Sequence, residues 1–223
     1  PYLHDTPILI IAFDTEKFMP IMKCQEHLER SQKQTDDIPL TVRAFEGNTM
    51  VPLLTLRRSD RGARAHYAKI LTQELTQNPK KYLQACCTTD YLIIFSGSAL
   101  DQTRNSVLPC YLYYKSSTQQ FESGTAPGLM HSLGQAEDSI FFLVNSIEHN
   151  TSSKWVFISP DTDIITKSIA VSKKMSCHIY VSLPSPTRQQ STYIDVRLLC
   201  NHIEATYHST QYPLYTFLML LLD

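Results

Sequence analysis

A chain of 223 residues, 43% of them hydrophobic, carries enough apolar material for one large domain or two small ones and is expected to fold as a globular protein. Its net charge of −1 and pI near 6.8 exclude a chain-wide basic field, so any surface for nucleic acid would have to be a local patch. No stretch reaches the ~18 apolar residues of a membrane span, and none of the six cysteines stands in Cys-x-x-Cys spacing, which points to reduced thiols in a nuclear or cytoplasmic protein.

In chain order, Pro7-Ile-Leu-Ile-Ile-Ala-Phe13 is a continuous apolar run of the kind found in strands covered on both faces, and it ends in Asp14. A helix is expected from Glu16 to about Lys33, which Asp14 can cap. Gln34 to Pro52 is polar and irregular, with a short strand around Thr41 to Phe45, and Gln34 to Lys81 reads as the most divergent insertion. Ser59 to Leu75 has helical character, and Arg57, Arg58, Arg61, Arg64 and Lys69 make it the densest positive segment. A solvated helix face is the default for such a run and a phosphate-contacting helix is the sharper reading.

Tyr91 to Phe95 and Cys110 to Tyr114 read as strands. The turn Ser96-Gly-Ser98 between them lacks the Gly-x-Ser-x-Gly pattern of a hydrolase nucleophile elbow. A polar loop is expected from Ser116 to Pro127, then a helix to about Glu148 whose apolar face is Leu129, Leu133, Ala136, Ile140, Val144 and Ile147. Glu137 falls at the edge of that face, where a carboxylate is costly unless paired or bound to a cation, and Asp138 lies one step further towards water.

Trp155-Val-Phe-Ile runs into Ser-Pro and then Asp161-Thr-Asp163. In an extended segment residues i and i+2 face the same side, so both acids can present oxygens to one point at the carboxyl edge of a sheet. Two such anions repel unless a cation lies between them or one takes a proton, and Mg²⁺ is held by carboxylates of this kind. Capping of the helix that starts near Ile164 explains one acid and leaves the other without a role; the residues themselves leave metal site and cap both open.

Beyond Asp163 a helix to about Ser172, a strand from Cys177 to Ser182, a strand and helix from Tyr193 to Tyr207 and a last apolar helix from near Pro213 to Asp223 are expected. The alternation is that of one α/β domain spanning 1–223, with a largely parallel central sheet flanked by helices. If the first strand and the Trp155 strand are parallel neighbours, Asp14, Asp161 and Asp163 share one rim. Starting at Pro1 without a methionine and stopping beside an apolar run, the chain is expected to be a fragment of a longer protein. The eight histidines show no metal-ligand spacing and read mostly as surface or strand residues.

Gly134-Gln-Ala-Glu-Asp138, followed by Val156-Phe-Ile-Ser-Pro-Asp-Thr-Asp163, resembles the internal region of the flap endonuclease/XPG family of 5′ nucleases, where a Gly-Glu-Ala-Glu helix precedes a strand ending in Asp-x-Asp. Ser-Pro-Asp-Thr-Asp-Ile with Tyr193-Ile-Asp-Val196 downstream is similar to PIN-like nuclease domains of transposon and viral proteins, and Ala12-Phe-Asp14 resembles the family's Val-Phe-Asp-Gly. The resemblance implies a PIN-like, Rossmann-like three-layer domain, with 34–81 as an insertion or helical arch. It also implies a two-metal site for Mg²⁺ or Mn²⁺ that hydrolyses phosphodiesters of DNA or RNA. Asp14, Glu137, Asp161 and Asp163 would be its catalytic metal ligands, with Asp138 an alternative to Glu137. Lys23 and Arg30, seven residues apart as in the family, would neutralise phosphate, with Arg57, Arg58, Arg61 and Arg64 as further nucleic-acid contacts.

Two departures stand out. Gln135 replaces the family's first Glu, and Asp223 follows Leu222 without the family's Gly, so it is either the last metal ligand in altered form or that motif lies further on. The alternative implied is a catalytically weakened module, of a virus, that keeps the fold to bind nucleic acid or a protein partner.

Overall fold

Tyr91-Leu-Ile-Ile-Phe-Ser96 has apolar residues on both faces and becomes a central strand, whereas Cys110 to Lys115 alternates and buries only Leu112 and Tyr114. These strands belong to a computed structural model that describes residues 7–19, 21, 25, 61–83, 88–147, 153–159, 163–183 and 192–207. Two compact units result, Pro1–Leu143 and Val144–Asp223.

The first unit contains β1 (Ile8–Ala12), α1 (Arg61–Gln77), α2 (Pro79–Leu83), β2 (Tyr91–Ser96), β3 (Cys110–Lys115), β4 (Gln120–Thr125) and the start of α3 (Ala136–Ile147). Its sheet is ordered β1-β2-β3-β4, with β1 parallel to β2 and the other two pairings antiparallel. Ile93, Phe95 and Leu112 form the core, covered by Ile11 from β1, Phe121 from β4, Leu75 from α1 and Leu83 from α2. Burial of side chains of this size stabilises by ~1.5–3 kcal/mol each. α1 packs through Ala68, Thr72 and Leu75, a stripe at helical spacing in which the middle position is polar.

The second unit contains β5 (Lys154–Ile158), α4 (Asp163–Val171), β6 (His178–Leu183), β7 (Thr192–Asp195) and α5 (Val196–Tyr207). β5 and β6 are parallel, and β6 and β7 antiparallel. Phe157, Ile179, Val181, Ile164 and Val196 are buried here. The Ser172 hydroxyl lies 3.2 Å from the Cys200 sulfur, joining the end of α4 to α5.

Three expectations change. The sheets are mixed rather than largely parallel, and β1 and β5 lie in different sheets among the described residues. Ser116 to Pro127 is no loop: four turn residues reverse the chain and Gln120–Thr125 returns as β4, because Phe121 completes a row of rings with Tyr91 and Tyr114. The helix predicted from Pro127 starts at Ala136 instead. A short 3₁₀ turn, Pro127–Leu129, comes first, and then His131 pairs with Val107 through both backbone groups. Leu129 and Leu133 therefore lie off the helix, whose buried positions are Ser139, Phe141, Leu143 and Val144.

Candidate functional site

The carboxyl edge of the parallel pair β1/β2 is where the first predicted acid emerges. Phe13 N–H extends the ladder by donating to Ser96 O at 2.9 Å, and the chain then leaves the sheet at Asp14. Gly97 opposite has φ +85°, and a Cβ there would lie 2.0 Å from Phe13 O, so glycine alone permits this crossing. Thr15 N–H donates to Gly134 O at 2.6 Å. A Cβ on Gly134 would meet Met19 N at 2.3 Å, so the loop after β1 rests directly on the entry to α3.

That contact gives Asp14 its place. Its Oδ1 accepts the N–H of Ala136, the first residue of α3, at 3.0 Å across 122 residues of sequence. Asp14 thus satisfies, from a distant part of the chain, one of the N–H groups that the start of α3 leaves free. Glu137 and Asp138, both half-buried, occupy the first turn of α3. The partial positive charge of a helix N-terminus favours three carboxylates around it. Gln135 sits at the same entry, where its carbonyl accepts the N–H and hydroxyl of Ser139 at 3.1 and 3.0 Å.

In the second unit Asp163 opens α4 and is half-buried. The helix predicted from Glu16 opens as a 3₁₀ turn, Glu16–Phe18; most of its remainder lies outside the described residues, as do Asp161, Lys23, Arg30, Arg57, Arg58 and Asp223, the side chains of Arg61 and Arg64, and the segments predicted as the Thr41 strand and the Pro213 helix. Among the described residues no three acidic, His or Cys side chains form a group that could hold a metal ion. Asp195 of the Tyr193-Ile-Asp-Val196 motif caps α5, accepting Leu198 N–H at 3.1 Å.

His131 is buried, not a surface residue. Leu133 N–H donates to its Nδ1 at 3.2 Å, so Nε2 carries the proton and donates to the Ser96 hydroxyl at 2.9 Å. Burial holds its pKa below the ordinary 6.5. Ser96 is fully buried, so the pair is a structural tie beneath Asp14 and not a nucleophile with its base. The sequence signal for this edge was the Ser96-Gly-Ser98 turn, but nothing in it pointed to His131 or to the fit of Gly134 against Met19.

The chain matches no protein-family model, no curated protein and no solved structure.

Proposed function

We propose that this chain is a PIN-like nuclease domain of the flap endonuclease type that hydrolyses phosphodiester bonds of DNA or RNA with Mg²⁺ or Mn²⁺. The observation that carries the reading is the hydrogen bond from Ala136 N–H to Asp14: two motifs 122 residues apart, both belonging to the resemblance, meet at the carboxyl edge of a parallel strand pair. The proposed ligands Asp14, Glu137, Asp138, Asp161 and Asp163 are all carboxylates, the donor type that hard cations take. Bound divalent metals would supply a water nucleophile at neutral pH and neutralise the charge of an in-line displacement. Asp14 accepts the Ala136 N–H through Oδ1, which would leave Oδ2 for a cation, and Glu137 and Asp138 follow in the first turn of α3. Lys23 and Arg30 would draw the phosphate in.

The parent protein is assayed on 5′-labelled single-stranded, flapped and hairpin DNA and RNA with Mg²⁺, with Mn²⁺ and with chelator, beside an Asp161→Asn/Asp163→Asn variant. Metal-dependent cutting that the variant loses is the expected result, and absence of cutting on every substrate would refute catalysis. The second reading, a weakened module for binding or assembly, draws on Gln135, a neutral residue at the α3 entry where the family has Glu. Under it Gln135→Glu creates or raises activity by about tenfold or more, as expected when one charged ligand is restored.

A further inference from the structure

A cavity of about 480 Å³ lies in the first unit between α1 and the loop that follows β2. Its volume falls in the range of small-molecule sites. Thr72 from α1 and Ser98 from the loop both line it, and both have hydroxyl oxygens shut off from solvent with no hydrogen-bond partner. Thr72 is only 5% exposed. Buried hydroxyls are normally satisfied, so two unsatisfied ones on one cavity ask for a ligand with oxygens to offer. Lys69, three residues before Thr72, and Arg104 across the cavity add two positive charges.

The one acid on the wall, Asp101, stays ionised and offsets one of them, so the lining keeps a net positive charge. Asp101 has its oxygens engaged by Asn105 N–H at 2.7 Å, Ser106 N–H at 3.0 Å and the Thr103 hydroxyl at 2.5 Å. Those bonds shape the loop and hold Arg104 at φ 57°, a conformation that side chains other than Gly, Asn and Asp seldom adopt. The Lys17 ammonium donates to the Arg104 carbonyl and fastens the same turn. These bonds fix the backbone of the turn that presents Arg104, whose side chain is exposed.

We propose that this cavity binds a phosphomonoester of mononucleotide size. Lys69 and Arg104 meet the phosphate charge, the Thr72 and Ser98 hydroxyls, shut off from the cavity in the unliganded protein, turn about their side-chain bonds to donate to its oxygens, and Ala99 and Leu100 offer apolar wall to the remainder of the ligand. None of the acids proposed for catalysis lines the cavity, so binding here does not require nuclease activity.

Adenosine 5′-monophosphate, inorganic phosphate and adenosine are titrated by calorimetry against the full chain, with thermal melts in parallel. The nucleotide is expected to bind and to raise the melting temperature, and adenosine is not. Inorganic phosphate binding as well as the nucleotide would identify phosphate itself as the ligand; weaker binding would assign part of the affinity to the nucleoside. Arg104→Gln and Lys69→Gln each weaken binding by about tenfold, the loss expected for one charge-assisted hydrogen bond. Thr72→Val is isosteric and removes an unsatisfied hydroxyl, so the unliganded variant melts at or above the parent's temperature while its ligand-induced rise is lost. Asp14→Asn binds the nucleotide as the parent does. The proposal is overturned if neither phosphate compound binds at 10 mM, a concentration roughly ten times the weakest Kd counted as a site, or if the Arg104, Lys69 and Thr72 variants all bind like the parent.

Discussion

Asp14 holds two roles that a pair of substitutions separates. As the acceptor at the start of α3 it needs only an oxygen for the Ala136 N–H, and as a metal ligand it needs its charge. Asp14→Asn keeps the acceptor and is expected to change unfolding free energy by no more than about 0.5 kcal/mol, whereas Asp14→Ala loses about 1 kcal/mol. Both variants lose metal-dependent cleavage if the proposed chemistry holds. Denaturant titration beside the cleavage assay reads the two roles independently, and an Asn variant that cleaves like the parent would leave Asp14 as a structural acceptor alone.

Among the elements, the β2-β3-β4 meander depends on one row of side chains. Tyr91, Tyr114 and Phe121 stand directly opposite one another in register. Their rings lie 5.4 Å apart and stacked at the first pair, and 4.9 Å apart and tilted at the second. Such pairs add about 0.5–1.5 kcal/mol beyond the area they bury. Tyr114 is the middle ring and is 6% exposed, so Tyr114→Ala opens a cavity and breaks both pairs. A loss of about 3 kcal/mol in chemical denaturation is expected, with most of it recovered by Tyr114→Phe. Beneath the row, Asp90 anchors the hairpin: it accepts from Ser116 N–H and the Tyr113 hydroxyl at 2.8 and 2.9 Å.

At the scale of the whole molecule, three of the described groups contribute to the response to acid. The buried, neutral His131 has a folded pKa below 6.5, with burial as the cause. The unfolded chain therefore takes up a proton at this site before the folded protein does. Its contribution is fully present above pH ~6.5 and is lost as pH falls from there through the folded value. Asp90, held below the ordinary 3.8 chiefly by the Ser116 hydroxyl, and Asp101, chiefly by the Thr103 hydroxyl, act lower. Their contributions persist above pH ~3.8 and disappear as pH falls through their folded values. Melting temperature is thus expected to fall in two stages on acidification. His131→Gln flattens the first, and an unchanged first stage in that variant would remove His131 as its cause.

How much of this was legible in the chain depends on the range of the interaction. Apolar runs and periodicity, which act between near neighbours, placed β1, β2, β3, β5 and the α4-β6-β7-α5 succession within a few residues of where they lie. Asp14 was legible as an acid at a strand end with an expected capping role, but not as the acceptor for a helix N–H 122 residues away. β4 carries only one large apolar residue, Phe121, and its pairing is decided by rings on other strands. The late start of α3 follows from the Val107–His131 pairing, and the burial of His131 from a hydroxyl 35 residues earlier in the chain. Thr72 reads along α1 as a neutral helix position, and only the packing of α1 against the Ser98 loop makes it the wall of a cavity. Local patterns thus determined most of the described elements and located the acids along the chain. Parallel or antiparallel pairing, the helix end that Asp14 meets, and which hydroxyls are left without a partner are set by long-range packing, where the free-energy difference between alternatives does not lie in any short stretch of sequence.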